Sequence, residues 1–301
     1  GIRDRSPSRG LGDVYKRQPL IINGAMGTQL ISHGIKLPLP LWSAQANIEE
    51  PQIVQSIHKD YVEAGADIIT TNTFRTTTWS YRRAEYSPKR ASRKAKDSLM
   101  KAIDLARSVN PNILAGSITS INDCYEPDEY PGKSIAEDSY GETIEWFIEG
   151  GVDTVLLETM GHLNEINIAL EATKNISTVW LSLIINEKGH LLSGDSLREI
   201  YALNIKQLTC LMLNCNTIEL TGQNLNSFID NSTLNWGIYP NLGLTQPEVD
   251  GEIHGIVDAE KFKQSIISYL DKKPYIIGAC CGSTPNHIRI IRDLIEEKTI
   301  Y

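Results

Sequence analysis

The sequence lacks several features that define common classes of protein. No apolar run approaches the roughly 20 residues that a membrane-spanning helix needs, so we predict no membrane segment. Only five of the 301 residues are cysteine, an odd number without regular spacing. This pattern argues against a disulfide scaffold and favours a reducing compartment. No Pro-, Gly- or Ser-rich linker divides the chain, and no short repeat is present. We therefore expect a globular cytoplasmic protein.

The chain also has no excess of basic over acidic residues. The chain has 29 Lys and Arg against 37 Asp and Glu, for a formal net charge of −8 at pH 7. An acidic chain with scattered positive charges is a poor ligand for nucleic acids and for anionic membrane surfaces. We expect neither partner.

Residues 1–18 differ from the rest of the chain. They are basic and rich in turn formers, and they change abruptly into the apolar run Pro19-Leu20-Ile21-Ile22. The stretch from Asp13 to Gln18 resembles translated cloning adapter, so we interpret residues 1–18 as a non-native scar. A disordered native tail or a targeting peptide is the alternative. With five basic and two acidic residues the segment carries +3, which leaves −11 on residues 19–301.

From residue 19 onward, short apolar runs alternate with longer amphipathic stretches. Runs such as Thr154-Val155-Leu156-Leu157 are continuously apolar, as in parallel strands covered on both faces. We predict eight strands, at residues 20–23, 67–71, 112–117, 153–158, 178–185, 208–214, 235–240 and 275–279. We predict eight helices, at residues 51–64, 88–109, 134–149, 163–174, 196–206, 217–229, 259–271 and 285–297. This alternation predicts an α/β protein that is a single (β/α)8 TIM barrel over residues 19–301.

A doubly wound open sheet is the structural alternative. It would need fewer strands, and it usually has a G-x-G-x-x-G loop after the first strand. The run Gly24-Ala25-Met26-Gly27 lacks that spacing, which favours the barrel.

Three cysteines end predicted strands. Cys280 and Cys281 are adjacent in a glycine-rich loop after one apolar run, and Cys215 ends another. A disulfide between adjacent cysteines is strained, whereas the carboxyl ends of barrel strands converge on one mouth. Three thiolates with one open position are typical of a catalytic zinc site. The alternative is three buried cysteines that pack as small apolar side chains.

Other polar residues also follow the strands. Glu158 comes after four apolar residues, which indicates a partly buried acid with a partner. Asn72 is either a site residue or a turn former, and Gly24 and Gly27 either face a ligand or only permit a sharp turn. The six histidines show no metal-ligand spacing, and we interpret them, with Cys124 and Cys210, as structural or surface residues.

Six motifs occur in the order found in the homocysteine S-methyltransferase family, which the chain resembles from about residue 20 to residue 298. They are Asn23-Gly24-Ala25-Met26-Gly27-Thr28, Thr71-Asn72-Thr73-Phe74, Gly151-Val152-Asp153-Thr154-Val155-Leu156-Leu157-Glu158-Thr159, Asn214-Cys215, Tyr239-Pro240-Asn241 and Gly278-Ala279-Cys280-Cys281-Gly282-Ser283-Thr284-Pro285. That family includes betaine–homocysteine methyltransferase and the homocysteine module of cobalamin-dependent methionine synthase. The paired cysteines and the distant Asn-Cys carry most of the resemblance.

The resemblance implies a zinc barrel that methylates homocysteine to methionine. It implies that Cys215, Cys280 and Cys281 hold Zn²⁺, with the homocysteine sulfur in the fourth position. Glu158 matches the acid that binds the substrate ammonium, and backbone N–H groups of the Ala25–Gly27 turn are expected at the carboxylate. The implied substrate-binding residues are Asn23, Gly24, Ala25, Met26, Gly27, Asn72 and Glu158.

The chain departs from the family pattern at three places. Asn23 stands where the family usually has Asp, Ala279 replaces a glycine, and Leu242-Gly243-Leu244 is closer to the methionine-synthase type. The expected donor is S-methylmethionine or a betaine-type compound. Three alternatives remain: a homocysteine module methylated by a separate corrinoid protein, a non-catalytic barrel that binds zinc or a thiol amino acid, and a barrel of unrelated chemistry with buried cysteines.

Overall fold

The computed structural model describes residues 18–247, 251, 253 and 255–299. Eight parallel strands form one sheet with the order β1-β8-β7-β6-β5-β4-β3-β2. The strands are β1 (Leu20–Ile21), β2 (Ile68–Thr70), β3 (Ile113–Ile118), β4 (Thr154–Met160), β5 (Val179–Leu183), β6 (Leu208–Thr217), β7 (Asn235–Asn241) and β8 (Ile276–Ile277). This arrangement confirms the predicted barrel. The interpretation of residues 1–18 falls outside the described residues, apart from Gln18.

The two end strands of this order meet and close the sheet. Ile22 forms a parallel bridge with Ile68. The N–H of Asn23 donates to the Ile68 carbonyl at 2.9 Å, and the N–H of Asp67 donates to the Ile21 carbonyl at 2.8 Å. The side chain of Asn23 extends the ladder, because its Oδ1 accepts the Thr70 N–H at 2.8 Å. A closed ring places the carboxyl ends of all eight strands at one mouth.

Eleven helices are present among the described residues, and they include all eight predicted ones. They are α1 (Met26–Ser32), α2 (Ala46–Glu49), α3 (Pro51–Glu63), α4 (Thr78–Arg83), α5 (Pro88–Arg107), α6 (Lys133–Gly150), α7 (Leu163–Ala172), α8 (Leu197–Tyr201), α9 (Ile218–Asn231), α10 (Ala259–Asp271) and α11 (Pro285–Thr299). The predicted helix at 196–206 was too long, since α8 ends at Tyr201. Helices α1, α2 and α4 were not predicted because four to seven residues are too few to show a helical period.

The core has two layers. Side chains such as Leu156, Trp180 and Met212 fill the barrel interior, and Cys210 lies among them. A larger apolar layer separates the strands from the surrounding helices. Every residue of β4 is buried, which explains the continuously apolar run in the sequence. No helix among the described residues has the length and apolar character of a membrane span.

At the opposite end from the mouth, one acid ties three elements together. Asp67 Oδ2 accepts the Ile21 N–H at 2.9 Å and the Arg292 Nη2 at 2.7 Å, which joins β1 and α11 to the start of β2. Asp153 plays a similar part at the start of β4, where its Oδ2 accepts the Leu114 N–H at 2.8 Å.

We predict that Asp67→Ala lowers the free energy of unfolding by about 2–4 kcal/mol, because it removes a charge-assisted bond and leaves a strand N–H unpaired. Asp153→Ala is the matched control. It removes one strand cap without an ion pair, so its cost is expected to be about 1–2 kcal/mol. Urea unfolding at constant m-value measures both, and a midpoint for Asp67→Ala equal to that of the wild type would contradict the assignment.

Candidate metal centre and substrate cavity

A cavity of about 130 Å³ opens at the carboxyl ends of the strands. All ten residues expected at the site line it, although they are scattered over the sequence from position 23 to position 281. They are Asn23, Gly24, Ala25, Met26, Gly27, Asn72, Glu158, Cys215, Cys280 and Cys281. Barrel closure therefore brings the expected set together in one place.

The three cysteine sulfurs form a compact cluster at one side of this cavity. All three lie within 4.8 Å of one another, and Cys281 Sγ is 3.6 Å from Cys215 Sγ and 3.9 Å from Cys280 Sγ. Zinc–sulfur bonds of about 2.3 Å in a tetrahedron separate two bound sulfurs by about 3.8 Å, so these two distances suit zinc. Cys215 and Cys280 are joined as a disulfide in this structure, which sequence patterns did not predict. The set can therefore take a metal only when it is reduced.

The backbone at the strand ends turns the sulfurs toward each other. Cys215 has a φ of +54°, a left-handed conformation that is uncommon outside glycine, and β6 is irregular between Asn214 and Thr217. The loop after β8 is held by two hydrogen bonds to the end of β7. The Cys280 N–H donates to the Pro240 carbonyl at 2.7 Å, and the Cys281 carbonyl accepts the Leu242 N–H at 2.9 Å.

Glu158 lies at the end of β4 in the same cavity and is 8% exposed. Its Oε2 accepts a hydrogen bond from Ser117 Oγ at 2.5 Å. Burial raises the pKa of this carboxyl to about 7, and the hydrogen bonds to its ionised form oppose that rise. A carboxyl with such a pKa changes its charge near neutral pH, and no cationic side chain lies within 4.0 Å of it among the described residues.

Asn214 connects the metal side of the site to the Glu158 side. Its Nδ2 donates to Thr159 Oγ1 at 2.7 Å, and its Oδ1 accepts from Ser182 Oγ at 2.5 Å. Thr159 has a φ of +57°, which is strained for a β-branched residue. Asn214 is fully buried and directly precedes Cys215 in the chain. Its hydrogen bond to Thr159 therefore links the residue after Glu158 to the residue before Cys215.

The side chains of two expected binding residues form hydrogen bonds to other residues of the protein. Asn72 donates both amide protons, to the Ser43 carbonyl and to Asn47 Oδ1, each at 2.9 Å. Asn23 donates to the Gly24 carbonyl at 3.0 Å and accepts from Thr70 as described above. Both residues therefore shape the cavity wall, and their contact with a ligand stays a prediction.

The turn after β1 packs closely against its surroundings. The Ala25 N–H donates to Ser283 Oγ at 3.0 Å, which takes this group away from a ligand. A Cβ at Gly24 would lie 2.7 Å from the Tyr61 ring, and one at Gly27 would lie 2.6 Å from Trp42, so both positions need glycine for space. Met26 and Gly27 begin α1, where the first N–H groups of a helix have no partner within it.

Sequence patterns missed the residues that build the remaining wall. They are in the loops after β1, β2 and β3 and include Trp42, Phe74, Arg75, Asp123, Cys124 and Tyr125. Cys124, expected to be a bystander, lines the cavity but is not in the sulfur cluster. Arg75 directly follows the motif Thr71-Asn72-Thr73-Phe74. A basic residue just after a predicted strand could have indicated from the sequence that Arg75 lines the cavity.

Comparison with known proteins finds methyltransferases that resemble this chain. The family model described as homocysteine S-methyltransferase matches residues 20–295. The homocysteine S-methyltransferase of Escherichia coli is 26% identical over 97% of this chain and 99% of its own length. A selenocysteine methyltransferase of Astragalus bisulcatus is 25% identical, with 92% of each chain covered.

Solved structures support the fold. The metallated form of the E. coli homocysteine methyltransferase MmuM superposes with a TM-score of 0.79 and 23% identity, over 93% of this chain and 97% of that one. Since the family match extends over almost the whole barrel, this chain belongs to the homocysteine S-methyltransferase family and is a methyltransferase enzyme.

Proposed function

We propose that this protein is a zinc-dependent enzyme that transfers a methyl group from a small onium donor to the thiolate of homocysteine, giving methionine. The observation that carries the proposal is the cluster of three sulfurs with two tetrahedral spacings, in a cavity that also holds Glu158. The family and the names of its relatives support homocysteine as the acceptor.

Cys215, Cys280 and Cys281 are the residues that would hold the zinc. Burial raises the pKa of the Cys281 thiol to about 11, so the thiol stays neutral at pH 7 unless a cation favours its ionised form. When bound, zinc would keep the substrate sulfur in its nucleophilic thiolate form at neutral pH. Free thiols persist in a reducing compartment, which supports the cytoplasm as the proposed location.

The proposed site for the amino-acid end of homocysteine lies between Glu158 and the start of α1, which both line the cavity. The ionised form of Glu158 pairs with the substrate ammonium, and this pairing offsets the cost of burying the carboxylate. The N–H groups of Met26 and Gly27 at the start of α1 are the proposed partners of the substrate carboxylate. These two anchors hold the amino acid while its side chain extends toward the cysteines.

The transfer itself is a displacement at the methyl carbon. The homocysteine thiol loses its proton to water, and its sulfur forms a new bond to that carbon. The bond from the carbon to the donor's sulfur or nitrogen breaks, and the electron pair stays on the donor, which leaves as a neutral thioether or tertiary amine. Holding both substrates in line is the main contribution of the cavity.

A methylated corrinoid protein is the second candidate donor, favoured by Leu242-Gly243-Leu244 after β7. Methionine formation separates the candidates when homocysteine is supplied with S-methylmethionine, betaine or a methylated corrinoid protein, each with and without a zinc chelator. We expect chelator-sensitive turnover with a small onium donor. Protein that binds zinc and homocysteine but gives no methionine with any donor would contradict the proposal and favour a binding-only barrel.

We predict that Cys281→Ser loses bound zinc and methyl transfer together, because a serine hydroxyl does not ionise to replace the thiolate. Cys210→Ala is the control, since Cys210 is a cysteine of the barrel interior outside the sulfur cluster. Metal analysis of the reduced proteins measures both. One equivalent of zinc retained in Cys281→Ser would overturn the ligand assignment.

We predict that Glu158→Gln raises the KM for homocysteine in a pH-dependent way. The wild-type carboxyl has a pKa of about 7, so it is mostly neutral at pH 6 and mostly ionised at pH 8. The ratio of variant to wild-type KM is therefore expected to be near one at pH 6 and to reach about tenfold or more at pH 8, as expected for a lost charge-assisted bond. Steady-state kinetics with unchanged zinc content test this, and a ratio independent of pH would remove Glu158 from the ammonium site.

A further inference from the structure

Helix α5 concentrates positive charge in an otherwise acidic chain. It carries seven basic and two acidic residues, a formal charge of +5 in a chain whose net charge is −8. Five of these bases are exposed or half-buried and form no ion pair within 4.0 Å among the described residues. They are Lys89, Arg90, Arg93, Lys94 and Lys101, which we name the basic stripe. The positive charges are therefore clustered rather than scattered, which corrects the expectation from the sequence.

Helix α6, which follows the next strand, carries the opposite charge. It has five acidic residues and one basic residue, a formal charge of −4. All five acids are exposed or half-buried, and we name them the acidic stripe: Glu137, Asp138, Glu142, Glu145 and Glu149. Within the described residues, one ion pair joins the two helices, between Lys96 Nζ and Glu149 Oε2 at 2.7 Å. Most of the charge on both stripes therefore faces solvent without a partner.

The two stripes lie side by side on the surface of the barrel. α5 packs against α6, and each helix ends a few residues before the next parallel strand, so the two helices run in the same direction. Arg107 at the end of α5 donates to the carbonyls of Gly150 and Gly151 at the end of α6, which aligns the helix ends. Residues 89–101 and 137–149 each cover about 18 Å of helix. The surface thus has a positive half and a negative half of equal length.

A surface of this kind is complementary to itself. A two-fold axis that runs between the helices and parallel to them places α5 of one copy against α6 of a second copy, and the reverse. A two-fold axis at right angles to the helices would place α5 against α5, which like charges oppose. Ile148 lies within the acidic stripe and is 50% exposed, so it adds an apolar contact to the same surface.

The size of the surface also suits a second copy. α5 has 20 residues and α6 has 18, so the helices are about 30 and 27 Å long. With their axes about 10 Å apart, they present a face of about 30 by 20 Å, or about 600 Å² per copy. Two such faces bury about 1,200 Å² in total, the lower limit for a specific interface. We therefore expect a weak dimer that depends on charge.

We propose that the basic and acidic stripes form the interface of a symmetric homodimer, in which α5 of each copy contacts α6 of the other. A nucleic acid or an anionic membrane would be attracted by the basic stripe but repelled by the acidic stripe beside it, whereas a second copy complements both. Because the axis runs along the helices, both barrels point the same way and neither mouth is covered. The inference does not depend on the proposed reaction.

Sedimentation velocity of the reduced wild-type protein, over a range of protein concentrations, measures the association. We expect a dimer at about 50 mM salt and a Kd that rises at least about tenfold at about 500 mM, because salt screens exposed charges. This salt series does not depend on any variant.

Charge reversal tests which surfaces meet. The α5 variant carries Lys89→Glu, Arg90→Glu, Arg93→Glu and Lys101→Glu. The α6 variant carries Glu137→Lys, Asp138→Lys, Glu142→Lys and Glu145→Lys. Each variant alone places like charges across the interface, so we expect its Kd to rise at least about tenfold. A mixture of the two variants places opposite charges across the interface again, so we expect a heterodimer with a Kd within about fivefold of the wild-type value.

The control variant changes the net charge by the same amount as the α5 variant, at exposed lysines outside both stripes. It carries Lys188→Glu, Lys206→Glu, Lys261→Glu and Lys263→Glu. We expect it to dimerise like the wild type, and circular dichroism checks that every variant is folded.

Four results would overturn the inference: a wild-type protein that is monomeric at every salt concentration, a dimer that neither reversal weakens, an equal loss in the control, or no heterodimer in the mixture. A monomeric wild type that binds a short RNA or anionic vesicles through α5 would also overturn it, and would assign the basic stripe to a polyanion.

Discussion

Closure of the sheet between β1 and β2 is the constraint on which the site depends. Few backbone contacts join these strands, and the Asn23 side chain adds one by accepting the Thr70 N–H. Without the ring, the loops after β1 and β2, which carry Gly24 and Asn72, would be on opposite edges of an open sheet. With it, residues that are far apart in sequence form one cavity. Asn23 thus serves the fold in a position where the resemblance implied a substrate contact, and an amide does this as well as a carboxylate.

The mouth of the barrel also concentrates backbone strain. Trp42, Thr159 and Cys215 all line the cavity with positive φ angles, although none of them is glycine. Such conformations cost about 1–3 kcal/mol each and persist where the surroundings enforce them. Here the surroundings include the buried amide of Asn214, which bonds Thr159 and precedes Cys215. The rigid interior below the mouth therefore holds the sulfur cluster and the Glu158 carboxyl in a set relation.

Much of the fold and part of the site could be predicted from the sequence. The continuously apolar run that became β4 showed a strand buried on both faces, and strand-end placement alone brought Cys215 to Cys280 and Cys281. The short helices and the packing of Gly27 against Trp42 could not be predicted. The burial of Arg75 could not be predicted either, although its place after a strand was visible in the sequence. They depend on loops after β1, β2 and β3, whose paths follow from tertiary contacts rather than from a repeating pattern.

X-ray absorption at the zinc edge of the reduced, zinc-loaded protein would count the sulfur ligands that the three cysteines and homocysteine supply. We expect three sulfur ligands at about 2.3 Å without substrate and a fourth when homocysteine is added, since the cluster offers three thiolates and one open position. Fewer than three sulfurs in the free protein, or a sulfur count that homocysteine does not change, would contradict this expectation.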